Sequence, residues 1–435
     1  MSASTIAWIL FIALFVFLIL NVPVGFAIGL SSLVGLLALQ ASGGNQSIGY
    51  LSQTMVSGCD SFPILAVPLF ILAGELMGGG GISSRVLNVC KAIFGRFYGG
   101  VAMCAVAFCM FFAAVSGSGP ATVAAVGGLV VPTMLREGYS KEFTLATIAC
   151  AGGIGVIIPP SIPMVFYGTT TGTSIGSLFM AGMLPGILIG ITLMIYCNYM
   201  GRKHNWRNDS EKFSWKTLGK AVWDGKFALL DPIIILGGIY SGIFTPTEAA
   251  AVACVYAVFC GVFLHRELDF KTFLKVLKGA VSTTGTTMLI VGSATAFAKI
   301  LSITGAPTAI ANAIGGISDS AVVVMLLINV LLLFVGCFMD TTPAMLILAP
   351  ILMPIATALG YDAIHFGIIM VVNLAIGFIT PPLGINLFVA ARVGDEPLET
   401  VVKGIIPFIL IMLFDLLLIT FIPAISMTLV NLFGV

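Results

Sequence analysis

The stretch SGSGPATVA (116–124) stands between two apolar runs, VAMCAVAFCMFFAAV (101–115) and AVGGLVVPTML (125–135). Small polar and helix-breaking residues inside an apolar segment free backbone N–H and C=O groups that lipid cannot satisfy. Non-helical backbone at that depth survives only where protein buries it or a wet cavity lines it. The segment 101–135 has too many breakers for one clean span. It reads as a re-entrant hairpin that enters the bilayer, turns at SGSGP and leaves on the side it came from.

Composition sets the solvent. Hydrophobic residues make up 59% of the 435 positions and charged residues 9%, with formal net charge +1 and mean hydropathy +1.13. A soluble core could not hide that much apolar surface, so an all-α polytopic membrane protein is expected. No basic stripe exists to meet phosphates, which excludes a nucleic-acid partner. Residues 1–6 carry no positive charge and no small-residue cleavage site follows, so the first apolar segment is expected to be retained. The nine cysteines form no CxxC pair and read as small buried hydrophobes, not transition-metal ligands.

The chain repeats itself. A shift of 222 positions superposes Pro132 on Pro354, Gly138-Tyr139 on Gly360-Tyr361, Gly155 on Gly377, Pro159-Pro160 on Pro381-Pro382 and Pro185 on Pro407. A shift of 223 brings Pro23 onto Pro246. Two halves follow, 1–200 and 227–435, joined by a cytoplasmic linker or arm helix at 201–226. Spans are expected near 5–20, 23–40, 61–80, 144–171 and 177–200 of the first half. Five crossings invert the second half.

Charge supports the inversion. Of the 19 Lys and Arg residues, 18 fall in segments that this topology makes cytoplasmic, and the segments 41–59, 172–177 and 356–364, placed outside, carry none. The repeat-equivalent loops REGYSKE (136–142) and ALGYDAI (358–364) differ as inversion demands, with two cations against none. Both termini are therefore expected outside, in the periplasm.

The second hairpin, 321–355, turns at GCFMDTTPAM (336–345), and the 222 shift puts Ser118 on Asp340 and Gly119 on Thr341. A broken span follows each hairpin: AGGIGVIIPPSIP (151–163) within 144–171, and NLAIGFITPPLGIN (373–386) within 365–392. Proline lacks an N–H, so each break leaves carbonyl oxygens facing inward. A tip of hydroxyls or a carboxylate opposite such carbonyls suits a small hard cation, and the half-helix amino ends suit an anion. Asp340 is the sharpest residue, since a carboxylate at the bilayer centre costs at least ~2.5 kcal/mol and calls for a compensating cation or proton. An alternative is that Asp340 and the tip hydroxyls serve as helix caps. From the residues alone, Na⁺ and H⁺ both remain open.

The region from SGSGPATVA through PPSIPMVFYG, with PLFILAGELMGGGGIS (68–83), SGIFTPTEAAAVA (241–253) and NLAIGFITPPLGINLFVA (373–390), resembles the large membrane subunit of TRAP (tripartite ATP-independent periplasmic) transporters of the DctM type, within the ion transporter superfamily. The resemblance spans essentially the whole chain. It implies sodium-coupled import of an organic acid anion, such as sialic acid, another sugar acid or a C4-dicarboxylate, by an elevator movement in the bacterial inner membrane. It also implies a periplasmic substrate-binding protein and a separate small four-helix membrane subunit as partners. Na⁺ is the coupling ion and no other cofactor is expected. The first sodium site would fall at Ser116, Ser118, Gly119, Gly155 and Pro159, the second at Asp340, Thr341, Thr342, Gly377 and Thr380. Substrate contacts are expected at Thr169, Thr170, Lys299 and Asn386.

Other charges read as structural. Lys299 could also snorkel at the outer end of its span. Glu75 and Glu248 are expected to hold helices together, Asp415 has no assigned role, and no histidine is expected deep in a span. SEKFSWKTLGKAVWDGKF (210–227) and ELDFKTFLKVLKGA (267–280) read as arms lying on the membrane surface or as plain connectors. Absence of a GxxxxGK[ST] loop disfavours ATP, and absence of convergent His, Cys or paired carboxylates disfavours an enzyme. A stand-alone Na⁺- or H⁺-coupled carrier, working without a binding protein, is the competing reading.

Overall fold

The protein is described here as a computed structural model covering residues 3–207, 214–305 and 320–433. Its helices are α1 (Ala3–Ile19), α2 (Val24–Ala41), α3 (Ile48–Cys59), α4 (Ala66–Gly79), α5 (Ile82–Phe94), α6 (Gly100–Ser116), α7 (Gly119–Arg136), α8 (Lys141–Gly153), α9 (Ile162–Thr171) and α10 (Ile175–Lys203). They continue as α11 (Trp215–Tyr240), α12 (Pro246–Phe259), α13 (Phe270–Ile303), α14 (Ala321–Phe338), α15 (Thr341–Ala358), α16 (Ala363–Gly377), α17 (Ile385–Gly394), α18 (Leu398–Phe421) and α19 (Ala424–Phe433). Among the described residues, eight helical segments are long and apolar enough to cross a membrane. Large apolar side chains such as Trp8, Ile19, Val255 and Phe263 point outward. An apolar outer surface is what a lipid solvent demands.

The hairpins and breaks predicted from sequence are all present. The α6–α7 pair turns at Gly117 and Ser118, and the α14–α15 pair turns at Met339 and Asp340. The starts of α7 and α15, and those of α8 and α16, lie 222 positions apart. Both Pro-Pro bonds, Pro159-Pro160 and Pro381-Pro382, are cis, and each separates two half-helices: α8 from α9, and α16 from α17. The half-helices are held by caps that the sequence supplies. Ser140 accepts from Phe143 N at 3.3 Å, Ser161 from Met164 N at 3.4 Å, and Asp362 from Ile364 N at 2.7 Å.

Cross-repeat contacts show the inversion. At one end, Lys141 at the start of α8 forms an ion pair with Glu396 just past α17. At the other end, the Tyr167 hydroxyl in α9 donates to the Ala363 carbonyl at the start of α16, at 2.6 Å. Each half therefore begins where the other ends. The two broken helices run antiparallel, and the fold consists of two inverted-topology repeats.

The two expected arms differ from the sequence reading. Residues 215–227 continue without interruption into α11, and residues 270–280 into the 34-residue α13; residues 210–213 lie outside the described residues. Gly225 and Pro232 in α11, and Gly279 and Gly285 in α13, do not stop the helix, which propagates from each basic-apolar arm into the next apolar run. The boundary expected at residue 227 falls inside α11.

Helices α6 and α7 pack with α8, α10 and α17, and α16 packs with α14, α15 and α18. A second group, α1–α4 with α12 and α13, packs chiefly within itself. The groups meet where α4 and α5 touch α6 and where α13 touches α15.

Candidate functional site

Between those groups lies a cavity of about 1000 Å³. One wall is α4 and α13, contributing Glu75 and a stripe that includes Lys275, Gly279, Ser282, Thr283, Thr286 and Thr287. The opposite wall carries both hairpin tips, with Ser116, Gly117, Ser118 and Pro120 from one and Asp340, Thr341 and Thr342 from the other. Val156 and Phe378, 222 positions apart in the two breaks, also face it.

The inner tip is built around oxygen. Ser116 Oγ lies 3.0 Å from Thr122 Oγ1, which donates to the Ser118 carbonyl at 2.8 Å. A Cβ on Gly155 would stand 2.6 Å from Thr122 Oγ1 and 2.7 Å from the Ser118 oxygen. The broken span thus touches the tip through bare backbone, and three oxygens from Ser116, Ser118 and Thr122 converge beside it. Gly117 has φ +60°, and a Cβ there would meet the Pro160 carbonyl at 2.8 Å. Both facts require glycine. Ile162 N donates to the Gly117 carbonyl at 3.3 Å, which pins the tip to the far side of the break.

The outer tip follows the same plan. Asp340 is half-buried and its Oδ1 accepts from Thr341 Oγ1 at 3.1 Å and Thr342 N at 3.2 Å. It therefore caps α15 and faces the cavity at once. Gly377 meets the hairpin backbone directly, since a Cβ there would stand 2.4 Å from the Gly336 carbonyl carbon. Thr380 Oγ1 donates to the Ile376 carbonyl at 2.7 Å. Phe378 packs on the inner tip, lying within 3.3 Å of a Cβ built on Gly119.

The structure brings Ser116, Ser118, Asp340, Thr341 and Thr342 to one cavity, with Gly119, Gly155, Pro159, Gly377 and Thr380 in the elements behind them. The residues expected to touch substrate stand elsewhere. Thr169 and Thr170 donate to the Val165 and Phe166 carbonyls of their own helix, both at 2.7 Å. Lys299 is exposed, nine residues beyond Ile290 along α13, half a turn round from the cavity face. Asn386 is buried and donates to the Ala149 carbonyl at 3.1 Å. None of the four lines the cavity.

Sequence reasoning missed Thr122, Glu75 as a cavity residue, and the hydroxyl stripe. The run STTGTT (282–287) inside an apolar helix was the available signal for the stripe. Glu248 resolves as half of a capping box, its Oε2 accepting from Thr245 N at 2.8 Å. His365 is buried, with Nδ1 2.6 Å from Ser426 Oγ and Nε2 3.4 Å from the Thr420 carbonyl.

Near the end of α13 that carries Lys271 and Lys275, Arg85 pairs with Glu267 at 2.9 Å. His265 Nδ1 lies 3.3 Å from the Gly80 carbonyl, and burial, with the Arg85 charge, holds its imidazole below the ordinary value. Asp269 caps α13, and the hydroxyl and N–H of Thr272 keep its carboxyl below the usual carboxylate range. Among the described residues no group of three or more His, Cys, Asp or Glu could hold a metal ion.

The hairpin helices α7 and α15 and the half-helix α9 present their amino ends to the cavity through Pro120, Thr342 and Pro163. Such ends carry partial positive charge and free N–H groups. The lining side chains carry one cation, Lys275, against two carboxylates, Glu75 and Asp340. The cavity thus offers helix ends, hydroxyls and ionisable side chains of both signs on one surface.

Comparison with known proteins bears on this site. Residues 11–425 match the family described as "Tripartite ATP-independent periplasmic transporter, DctM component". The isethionate TRAP transporter permease protein DctMQ of Oleidesulfovibrio alaskensis is 47% identical over 411 residues, covering 94% of this chain and 64% of that protein. The chain therefore spans less than two thirds of that relative's length. The C4-dicarboxylate TRAP transporter large permease protein DctM of Pseudomonas aeruginosa is 42% identical over 391 residues, with 89% and 91% covered. The sialic acid TRAP transporter large permease protein SiaM of Vibrio cholerae is 37% identical over 413 residues, with 95% and 96% covered. All three are named as transporter permeases, not enzymes. Among solved structures, the YdaH transporter of Alcanivorax borkumensis superposes with TM-score 0.59 at 16% identity, covering 86% of this chain and 89% of that one. That likeness concerns the fold alone.

Proposed function

The chain belongs to the DctM component family of tripartite ATP-independent periplasmic transporters, and from that premise we propose that it imports an organic acid anion coupled to Na⁺ across the bacterial inner membrane. The observation that carries the reading is the convergence of two repeat-equivalent tips, centred on Ser118 and Asp340, on one cavity. One cation binds at Ser116, Ser118 and Thr122 with backbone of Gly119 and of the break from Gly155 to Pro159. A second binds at Asp340, Thr341 and Thr342 with Gly377 and Thr380. The relatives' names cover isethionate, a C4-dicarboxylate and sialic acid, which supports an organic anion as cargo.

Cation binding closes each tip against its break and cancels the negative charge of the lining, so the anion enters favourably only with its cations. That charge arithmetic is the source of coupling. The helix group bearing the tips then moves as a body past the α4–α13 wall in an elevator step, with the small four-helix subunit bracing the wall and a periplasmic binding protein delivering the anion. The distribution of cations supports a periplasmic location for both termini.

The test is uptake of labelled organic acids into proteoliposomes holding this subunit, its small partner and the binding protein. Uptake is expected to follow an inward Na⁺ gradient and to vanish in Asp340→Ala. Uptake driven by a proton gradient alone would overturn the sodium assignment, and uptake without the binding protein would favour a stand-alone carrier.

A further inference from the structure

Helices α10 and α18 occupy equivalent places in the two repeats and are joined by a contact that none of the transport chemistry uses. Asp415 of α18 is fully buried, and its Oδ2 lies 2.6 Å from Thr192 Oγ1 of α10. The same Thr192 hydroxyl lies 2.9 Å from the Ile189 carbonyl. Among the described residues, Asp415 Oδ1 has no hydrogen-bond partner.

Burial decides what this contact is. If Asp415 is ionised, Thr192 donates to Oδ2 while Oδ1 keeps its charge in an apolar interior without a donor, which is costly. If Asp415 carries a proton, the buried charge is gone. Its O–H donates to Thr192, Thr192 donates to Ile189, and Oδ1 is the carbonyl oxygen of a neutral acid.

Among the described residues, nothing nearby supplies a counter-charge instead. The elements packed on α18 are α8, α10, α16 and α17. From α8 the neighbouring titratable group is the Cys150 thiol, 3.3 Å from Met412 Sδ, one turn before Asp415; Lys141 and Glu142 stand at the far end of α8, and Lys141 pairs with Glu396. On α10, Cys197 lies beyond Thr192, and Arg202 and Lys203 close the helix. On α16, both ring nitrogens of His365 are engaged by Ser426 and Thr420. Arg392 lies at the end of α17, and Glu399 and Lys403 at the far end of α18.

The geometry points to Asp415 as a proton-binding site, distinct from both cation sites, whose bound proton links the two repeats through Thr192. Loss of the proton leaves a buried anion between the repeats, so transport fails as pH rises. The proposal stands apart from the sodium reading, because its first readout does not depend on the coupling ion.

The experiment is infrared difference spectroscopy of the complex in lipid discs, wild type against Asp415→Asn, with uptake measured in parallel over the same pH range. The asparagine amide donates to Thr192 without a charge. Expected is a protonated-carboxyl band at low pH that the variant lacks, a fading of that band and of wild-type uptake together as pH rises, and uptake in the variant that does not fall over that range. If Asp415→Asn does not assemble, Thr192→Val gives a second reading, since loss of the hydroxyl acceptor shifts the same band in frequency. Absence of any difference band, or a band that titrates while uptake stays constant, overturns the proposal.

Discussion

Replacing Gly155 by alanine tests the inner cation site at atomic scale. The new Cβ would stand 2.6 Å from Thr122 Oγ1 and 2.7 Å from the Ser118 carbonyl oxygen. Ordinary van der Waals contact begins at 3.4 Å, so both oxygens must retreat toward that separation. Hard cations hold their oxygens at about 2.0–2.6 Å, so a retreat of this size removes an oxygen from the coordination shell. Losing one contact to a charged group costs about 1.5–3 kcal/mol. At about 1.4 kcal/mol per tenfold, the half-saturating Na⁺ concentration rises roughly ten- to a hundredfold. The assay is initial uptake against external Na⁺ in proteoliposomes, with thermal unfolding as a control for folding. A well-folded Gly155→Ala protein with wild-type Na⁺ dependence would refute the placement of a cation between this break and the inner tip.

The equivalent change in the second repeat, Gly377→Ala, drives a Cβ into the Gly336 backbone at 2.4–2.7 Å. Backbone cannot rotate away, so stability falls by about 1–3 kcal/mol and Na⁺ dependence weakens. Gly128→Ala, with nothing within 4 Å, should do neither in the same two assays. Thr169→Val and Thr170→Val remove hydroxyls engaged only with carbonyls of their own segment, so the substrate concentration for half-maximal uptake should move less than threefold; a larger rise would return these residues to the substrate site. The neutral form of His265 is favoured in the fold by burial and by Arg85. Its contribution is present above the unfolded value of about 6.5 and is lost as pH falls through the lower folded value. Thermal stability should therefore decline on acidification, and less steeply in His265→Gln.

The repeats, hairpins and breaks were legible because they are written in residues whose backbone effects are local. Gly117, Gly155, Pro159-Pro160 and their counterparts fix turns and close approaches whatever their surroundings. The side chains that face the cavity were less legible, since facing depends on which helices become neighbours. Glu75 looked like a helix-to-helix tie and instead opens onto the cavity beside α13. Thr122 gave no signal until α7 folded back on Ser118. Thr169 and Thr170 misled because a hydroxyl in a helix readily satisfies itself on the carbonyl four residues back. The arm at 267–280 misled for a different reason: α13 is about 51 Å long at 1.5 Å per residue, longer than the roughly 30 Å apolar core, so its amphipathic and apolar parts form one rod.

The central claim is that the two tips are two separate cation sites. Equilibrium binding of ²²Na⁺ to the purified complex in lipid discs, without substrate, tests it most directly. Wild type should bind at two classes of site, Asp340→Ala should lose one, Thr122→Val with Ser116→Ala should lose the other, and the combined variant should bind none. Full sodium binding in the combined, folded variant would contradict the account.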